Sequence, residues 1–189
     1  MATDILTPMV TTEALLALPA DGVDRWLVRG ELREKPMTVR DRFHSEGVAS
    51  LAAAIKNWRD KQPQPRGKVL VGEAGVRLSR KPDTTVGVDL IYISHELAAA
   101  QTSATTLVEG VPSLVVEVLS PSDTNEEVNE KIDLYLSAGV PLIWYIDPRR
   151  KTATVYRPGE AVRTVNEHEI LSGEAVLAGF EVLLGDLFR

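Results

Sequence analysis

Apolar positions along the chain recur either every three to four residues, as in helices, or in short unbroken runs, as in buried strands. One stripe with spacings of four, three, four and three residues consists of His44, Val48, Leu51, Ile55 and Trp58. This stripe predicts one face of a long helix over residues 41–61. A second helix is predicted over residues 120–140. Asp123 or Asn125 is placed to cap its start, and Gly139 is placed to close its end.

Short segments rich in β-branched and aromatic residues predict the strands. They cover residues 24–36 (a strand or hairpin edge), 68–72, 75–80, 86–94, 113–119, 141–148, 151–158 and 161–167. Shorter elements are helices over residues 11–18 and 95–101, and a strand with a turn over residues 177–189. The order of helices and strands indicates a mixed α/β or α+β domain around one central β-sheet.

The composition is that of an ordinary globular protein. Hydrophobic residues make up 44% and charged residues 25% of the 189 positions, and this length suits one domain. The chain contains no cysteine, which excludes disulfides and zinc–thiolate sites. No apolar stretch approaches the ~20 residues of a membrane span, and the first residues lack the basic start of a signal peptide. We therefore expect a cytoplasmic protein without a membrane partner.

Two acidic residues stand inside otherwise apolar strands. Glu117 interrupts the run "LVVEVL" at residues 114–119, and Asp89 lies within "VGVDLIYIS" at residues 86–94. An ionised carboxylate is costly to bury without a partner, and two buried carboxylates repel one another unless a cation lies between them. Because hard oxygen ligands suit Mg²⁺ or Mn²⁺, this pair predicts a divalent metal site. Taken alone, Asp89 would more often be a surface or turn residue.

Lys131 lies on the predicted helix that follows the Glu117 strand, four residues from both Glu127 and Tyr135. One interpretation is a solvent-exposed pair between Glu127 and Lys131, worth about 0.2–0.5 kcal/mol. The other interpretation turns the ammonium group inward, where it would orient a water molecule or stabilise a pentavalent phosphate. The sequence pattern is compatible with both.

These segments together resemble a known family. "PSLVVEVLSPS", followed by a helix with "EKIDLYLSAGVPLIWYIDP", is similar to the Uma-type restriction endonuclease family of the PD-(D/E)xK nuclease superfamily. Three further segments resemble the family's N-terminal strand ("WLVRGELRE"), its first helix ("HSEGVASLAAAI") and its Asp-bearing strand ("VGVDLIYIS"). The resemblance implies a restriction-endonuclease-like fold, with a central mixed β-sheet flanked by helices, as a single nuclease domain over residues 1–189.

The resemblance also implies which residues form the site. Asp89 stands at the position of the superfamily's metal-binding Asp, and Glu117 at the Glu of the (D/E)xK element. Lys131 stands at the helix position from which this family commonly supplies its lysine. The ion would be Mg²⁺ or Mn²⁺, held by Asp89, Glu117 and the main-chain carbonyl of Val118. The reaction implied is metal-dependent hydrolysis of DNA phosphodiester bonds that leaves a 5′-phosphate and a 3′-hydroxyl.

The chain departs from the superfamily pattern at three positions. Val88 replaces the signature proline, which sets backbone direction and takes no part in the chemistry. Leu119 occupies the place where the superfamily usually has its lysine. Glu127 stands where the family often has Asp, and its longer side chain weakens the case for a metal role.

Two further residues match positions near the family's site. Glu31 matches an acid that superfamily members often carry early in the chain, and it could reach the metal directly or through water. Its alternative is an exposed Glu paired with Arg29 or Arg33. His44 matches a histidine of the family pattern, and its alternative is a hydrogen-bonded packing residue on the apolar stripe.

A DNA substrate and a two-fold homodimer are the expected partners. Candidate contacts to the DNA backbone are Arg29, Arg33, Arg40, Arg42, Lys56 and Arg59. The net charge of −6 argues mildly against a nucleic-acid partner, although the first part of the chain carries a basic excess. The homodimer is suggested by the apolar strand around residues 144–146 and by the need of small nucleases to cut two strands.

Two non-catalytic interpretations are also compatible with the sequence. The chain could be an inactive nuclease-like domain that acts as a DNA-binding or protein-interaction module, although the presence of Asp89, Glu117 and Lys131 argues against it. It could also be a plain structural domain in which Asp89 and Glu117 are paired with Arg or Lys. The second interpretation requires such partners to lie within reach of both carboxylates.

Overall fold

The computed structural model describes residues 9–189. Within them the helices are α1 (Thr12–Leu16), α2 (Arg42–Lys61), α3 (His95–Ala100), α4 (Asn125–Ala138) and a 3₁₀ helix (Leu184–Phe188). The strands are β1 (Val23–Val28), β2 (Glu31–Pro36), β3 (Lys68–Ser79), β4 (Thr84–Ile93), β5 (Val108–Glu109), β6 (Leu114–Val118), β7 (Ile143–Asp147), β8 (Thr152–Tyr156), β9 (Arg163–Asn166), β10 (Ile170–Ser172) and β11 (Glu181–Leu183).

One mixed β-sheet of nine strands dominates this part of the chain. Strands β2, β1, β4, β6, β7, β8 and β9 follow one another across it, and β3 pairs with β4 and with β5. Strand β6 is parallel to β7, whereas β4 is antiparallel to β1, β3 and β6. Strands β10 and β11 form a separate two-stranded sheet. The predicted fold class, a central mixed sheet flanked by helices, is confirmed.

Strand β4 has different neighbours along its two edges. On one edge it pairs with β3 from Thr84 to Ile93. On the other edge it meets β1 at Thr85 and β6 only from Leu90 onward. Strands β1 and β6 therefore diverge beside the middle of β4. The residues of β4 in this split include Asp89, and the split opens onto a cavity.

The sheet separates two apolar cores. In the first core, Leu51 of α2 and Leu184 of the 3₁₀ helix pack with Val116 of β6. In the second core, Ile132 of α4 packs with Val115 of the same strand. Consecutive residues of a strand point to opposite faces, so β6 contributes to both cores, and all five of its residues are buried. Its apolar run is explained by this two-sided burial.

The long helix α2 follows the predicted stripe. Its buried residues include His44, Leu51 and Ile55, while Val48 and Trp58 pack against the first core. Asp41 caps the helix: its carboxylate accepts a hydrogen bond from the backbone N–H of His44 at 2.9 Å. No helix within residues 9–189 has the length and apolar character needed to cross a membrane.

The start of α4 differs from the sequence prediction. Thr124 is the cap, and its hydroxyl and the Glu127 carboxylate bond reciprocally to each other's backbone N–H groups in a capping box. The prediction of Asp123 or Asn125 as the cap is wrong, because the carboxylate of Asp123 accepts from the N–H of Ser120 at 2.8 Å instead. Asn125 is already the first helical residue.

The end of α4 agrees with the prediction. Gly139 closes the helix with a φ of 84°, a left-handed conformation that glycine adopts without strain.

One long strand replaces the two that were predicted at 68–72 and 75–80. Strand β3 continues through this region because its pairing with β4 shifts between Val71 and Ala74, which accommodates a bulge. Gly72 and Glu73 lie in the bulge with φ values of 85° and 56°. A glycine in a strand weakens it, which is why the segment "GEAG" looks like a break in the sequence. The two-residue β5 and the three-residue β10 were too short to predict.

The apolar residues that suggested a homodimer lie inside the subunit. Trp144, Tyr145 and Ile146 are 0%, 4% and 0% exposed. Their strand, β7, is flanked by β6 and β8 and has a core on each face. This ground for the homodimer is therefore wrong, since fully buried side chains cannot form a surface for a second subunit.

Candidate active site

The split between β1 and β6 leads into a cavity of about 400 Å³. Asp89, Glu117 and Lys131 all line it. Leu90 of β4 is paired with Val116 of β6, so the next residues along these antiparallel strands, Asp89 and Glu117, are neighbours across the sheet. The structure therefore brings together the two acids and the lysine that the sequence singled out.

Asp89 is held by contacts from two directions. One oxygen accepts a hydrogen bond from the backbone N–H of Val118 at 2.8 Å. The other lies 3.2 Å from Nε2 of His44, in the first turn of α2. Burial alone would raise the pKa of Asp89, but these two contacts hold it below the usual value. The carboxylate is therefore ionised and fixed in orientation.

His44 belongs to the site as well as to the apolar stripe. Burial alone would lower the pKa of His44, but the hydrogen bond and the negative charge of Asp89 raise it above the usual value. The cap by Asp41 fixes the start of the helix and thus the position of the imidazole ring. His44 and Asp89 form a buried pair in which each restrains the other.

Glu117 has two donors on α4. Its Oε1 accepts from Nζ of Lys131 at 2.9 Å and from the hydroxyl of Tyr135. Burial raises the pKa of Glu117 from 4.5 to about 7; the charge of Asp89 contributes to the rise, and Lys131 and Tyr135 oppose it. The site therefore disfavours a second negative charge, which is the electrostatic condition that a bound cation would relieve.

Tyr135 is a site residue that the sequence analysis did not single out. It is fully buried, and burial together with the Glu117 charge raises the pKa of Tyr135, so the phenol stays protonated and donates. Its spacing of four residues from Lys131 was visible in the sequence, because such pairs share a helix face. Only the orientation of α4 shows that this face meets Glu117.

Lys131 points inward. Its side chain is 28% exposed and pairs with Glu117 rather than with Glu127. Burial alone would lower the pKa of Lys131, but the Glu117 carboxylate raises it, so the amine is charged. The solvent-exposed pair between Glu127 and Lys131 is not formed. The side chain thus has the inward position of the second interpretation.

The donor set fits a small divalent cation. Among residues 9–189 no three His, Cys, Asp or Glu side chains are grouped as a ready-made metal site. Mg²⁺, however, commonly takes only one or two carboxylates from the protein and completes its coordination with waters and substrate phosphate. Asp89 and Glu117 supply two hard oxygen donors beside Val118, which also lines the cavity. This matches what Mg²⁺ or Mn²⁺ requires.

A further acid reaches the cavity from the bulge in β3. Glu73 lines the cavity, and its carboxylate pairs with Arg40, which also lines it. The bulge turns this side chain out of the regular alternation of the strand. Glu73 is not conspicuous in the sequence, because the bulge depends on the pairing of β3 with β4, and no local pattern reveals that pairing.

Glu31 and Glu127 are not available for metal binding in the way that was suggested. Glu31 has a side chain that is 65% exposed and pairs with Arg33 at 2.8 Å, and it does not line the cavity. Its proposed role at the site is corrected to that of an exposed strand Glu, the alternative considered above. Glu127 lines the cavity, but its carboxylate is engaged in the capping box with Thr124.

The six basic residues proposed for the DNA backbone are spread over the molecule. Arg40 lines the cavity, whereas Arg29 and Arg33 lie along a second depression. Arg42 lies over the ring of its neighbour Phe43, with the guanidinium carbon 4.4 Å from the ring centre.

Lys56 and Arg59 lie far from this group. Both pair with Asp60. They follow His44 by 12 and 15 residues on α2, which corresponds to about 18 and 22 Å along the helix axis. The structure therefore does not bring these two residues to the cavity.

A basic rim, defined as Arg42, Phe43, Arg149 and Arg150, adjoins the site. The turn between β7 and β8 brings Arg149 to the start of α2, where it bonds to Asp41 at 2.8 Å and lies 5.7 Å from the ring centre of Phe43. Arg150 is 84% exposed. In the sequence, Arg149 and Arg150 lie between two predicted strands and have no visible role, because their approach to α2 is a long-range contact.

Comparison with known proteins gave two findings. A family model described as Uma2, "putative restriction endonuclease", matches residues 12–185. The fold is similar to that of a crystal structure described as a putative nuclease belonging to DUF820 from Anabaena variabilis ATCC 29413, with a TM-score of 0.77 and 20% sequence identity over 95% of this chain and 97% of that one. A search of curated proteins returned no match.

Proposed function

Because the chain belongs to the Uma2 family, we propose that it is a metal-dependent endonuclease that hydrolyses DNA phosphodiester bonds. The family supports nuclease chemistry in general. The observation that carries the finer proposal is the pair of neighbouring acids, Asp89 and Glu117, which line one cavity with the charged amine of Lys131. Two carboxylates and a cation beside an open cleft suit phosphoryl chemistry, in which developing negative charge must be stabilised.

Asp89, Glu117 and the main-chain carbonyl of Val118 would hold Mg²⁺ or Mn²⁺. When bound, the ion supplies polarisation of the scissile phosphate and a lower pKa for a bound water. The protein's own part is orientation. His44 and the N–H of Val118 fix Asp89, and Tyr135 and Lys131 fix Glu117.

Lys131 is the residue best placed to act on the reacting groups. Its charged amine would orient the attacking water or stabilise the negative charge of the pentavalent phosphate. In-line attack by that water breaks the bond between phosphorus and the 3′-oxygen, and the products are a 5′-phosphate and a 3′-hydroxyl. Until the phosphate arrives, the Lys131 ammonium donates one hydrogen bond to Glu117.

The basic rim is the proposed contact surface for the DNA backbone. Arg42, Arg149 and Arg150 present guanidinium groups, which bind phosphate oxygens well, and Arg40 lies in the cavity itself. A two-fold homodimer would supply two sites for the two strands of a duplex. Sedimentation at tens of micromolar tests the dimer independently of activity, and a monomer would remove it from the proposal.

The test of function is cleavage of plasmid and single-stranded DNA with Mg²⁺, Mn²⁺ or EDTA. We expect Asp89→Asn, Glu117→Gln and Lys131→Met each to lower the rate by about 10²-fold or more, since each removes a charge used in the transition state. Glu109→Gln is the matched control, because it makes the same change at a carboxylate that pairs with Arg77 and Arg80 outside the cavity. Cleavage that is unaffected by EDTA, or that survives in Glu117→Gln, would contradict the proposal.

The non-catalytic interpretation has one observation in its favour. Glu117 and Asp89 both have protein partners, Lys131 and His44, as a structural ion pair would require. In that case the Asp89, Glu117 and Lys131 variants would bind DNA like the wild type and no metal would affect the protein's stability. The same set of variants therefore distinguishes a nuclease from a nuclease-like binding module.

A further inference from the structure

The cavity that contains Asp89 and Glu117 extends along the split to a second, apolar end. This end is formed by α1, the segment that follows it and β1, through Leu15, Leu16, Leu18, Pro19, Val23 and Trp26. It adjoins the place where β1 meets β4 at Thr85. Thr85 and Asp89 are four residues apart on β4, a separation of about 13 Å. The cavity thus joins the end that contains Asp89 and Glu117 to an apolar end.

The positive charge of Arg25 at the apolar end is already neutralised. Arg25 lines the cavity there, but its guanidinium is bonded to Asp21 at 2.8 Å and to Glu34 at 2.7 Å. A phosphate group would gain little from this arginine, whose two carboxylate partners would repel it. The apolar end is therefore suited to a flat, uncharged part of a ligand.

Trp26 lines the cavity at this end and also the second depression beside α4, and it carries one unused hydrogen-bond donor. Its Nε1 is buried and has no hydrogen-bond partner within residues 9–189. An indole N–H can only donate, so a ligand that satisfies it must present an acceptor. Trp58 is different, because its Nε1 donates to the carbonyl of Ala178 at 3.0 Å. Trp144 also lacks a partner, but it is wholly buried in the first core.

We propose that the apolar end binds the nucleobase of a nucleotide next to the cleaved phosphate, and that the base accepts a hydrogen bond from Trp26. This inference rests on the proposed nuclease function. Every nucleobase combines a flat apolar face with ring-nitrogen or carbonyl acceptors, which is the chemistry that this end of the cavity offers. The phosphate of the same strand would lie toward Asp89 and Glu117.

The cavity bears on the class of substrate. Its volume of about 400 Å³ has room for one nucleotide unit, and a base that enters it has left the stack of a duplex. The base must therefore be unpaired, either in single-stranded DNA or in a nucleotide turned out of a duplex. The favoured substrate is single-stranded or locally opened DNA, and an intact duplex is cut only where a base can leave the stack.

The test uses the indole N–H signals of the full-length protein in ¹H–¹⁵N NMR spectra, recorded in EDTA. The three tryptophans give three signals, and the Trp26 signal is assigned by its loss in Trp26→Phe. We expect dAMP to shift the Trp26 signal in a saturable manner, while 2-deoxyribose 5-phosphate, which lacks a base, does not. Equal shifts with both compounds, or no shift with dAMP, would overturn the proposal.

Calorimetric titration with dAMP then measures the contribution of the N–H group. Trp26→Phe keeps an aromatic ring and should weaken binding roughly three- to tenfold, as expected for the loss of one hydrogen bond to an uncharged partner. Trp58→Phe is the matched control and should leave the affinity unchanged. Equal affinities for wild type and folded Trp26→Phe would refute the role of Trp26; if that variant does not fold, the wild-type NMR titration decides.

The test of the base site can fail or succeed independently of the test of nuclease activity. Binding of dAMP in EDTA requires neither metal nor cleavage. A protein that binds dAMP at Trp26 but cuts nothing would refute the nuclease and retain the base site. A protein that cuts DNA while its Trp26 signal ignores dAMP, and that cuts duplex as fast as single strands, would retain the nuclease and refute the base site.

Discussion

Replacement of Glu117 by glutamine distinguishes between two roles for this residue, a metal ligand and a partner in a structural ion pair. Glutamine keeps the shape and hydrogen-bonding capacity of the side chain but removes its ionisation. In the folded protein the pKa of Glu117 is raised from 4.5 to about 7. A carboxyl group whose pKa is raised on folding binds its proton more tightly in the folded state, so its ionisation lowers stability as the pH rises.

The magnitude follows from the size of this pKa shift. A rise in the pKa from 4.5 to about 7, at 1.36 kcal/mol per pKa unit, lowers the free energy of unfolding by about 3 kcal/mol at pH 8. The wild type begins to lose this stability as the pH rises through 4.5, and the loss is complete above about 7. In EDTA we therefore expect Glu117→Gln to match the wild type near pH 4.5 and to be about 3 kcal/mol more stable at pH 8.

Urea unfolding of both proteins at several pH values, with and without Mg²⁺, provides the measurement. Mg²⁺ at a hundred times its dissociation constant should stabilise the wild type by about 2.7 kcal/mol at pH 8 and should have little effect on Glu117→Gln. Glu109→Gln should keep the full response to Mg²⁺, since it leaves the cavity intact.

One result would refute this reasoning outright. A buried structural pair that loses one partner is destabilised by about 3–5 kcal/mol, because the remaining charge is left uncompensated. If Glu117→Gln is less stable than the wild type by this amount at pH 8, and neither protein responds to Mg²⁺, then Glu117 serves Lys131 as a structural partner. The hypothesis that Glu117 is a metal ligand would then be refuted.

Three further predictions concern the surroundings of the site. Thr124→Ala should lower the free energy of unfolding by about 1 kcal/mol, because the capping box of α4 is lost, whereas Thr124→Ser should be close to the wild type in urea unfolding. Tyr135→Phe should raise the pKa of Glu117 further, since one donor to its charged form is removed, and a ¹³C NMR titration of labelled glutamate would detect the change. Arg149→Ala should reduce by about one the slope of log affinity for DNA against log salt concentration, measured by fluorescence anisotropy, with Arg163→Ala as the control.

Each of these three has a clear contrary result. Equal losses in Thr124→Ala and Thr124→Ser would show that the capping hydroxyl is irrelevant. An unchanged Glu117 titration in Tyr135→Phe would show that the phenol does not stabilise the carboxylate. An identical salt slope in the Arg149 and Arg163 variants would remove the turn between β7 and β8 from the DNA contact surface.

The sequence was most informative where local pattern and tertiary burial coincide. Glu117 and Asp89 stand out because each interrupts an apolar strand, and β6 is apolar because both of its faces are covered. The pairing of β4 with β6 then makes the two acids neighbours. The stripe from His44 to Trp58 likewise marks the buried face of α2. In these elements the periodicity of the side chains is itself the consequence of packing.

The sequence was least informative where contacts between distant segments determine the position of a side chain. Lys131 could have paired with Glu127 or turned inward, because spacing on a helix does not fix the rotation of that helix against the sheet. Burial of Ile132 and Tyr135 against the second core fixes it. Glu73 lines the cavity because it lies in a bulge, and this bulge arises from a shift in the register between β3 and β4. Residues 144–146 were interpreted as part of a subunit interface. They are apolar because their strand, like β6, is buried on both faces.

The position of the 3₁₀ helix has a consequence for the order of events during synthesis. Leu184 and Leu187 complete the core beneath α2, and Phe188 lies near Gly47, one turn from His44. The side chains of the site, from His44 to Tyr135, leave the ribosome before this support. At 5–20 residues per second, the stretch from Tyr135 to Phe188 takes roughly 3–10 seconds to make. A nascent chain thus carries every reactive group while α2 is still unsupported, and nuclease activity should arise only once the late residues have docked.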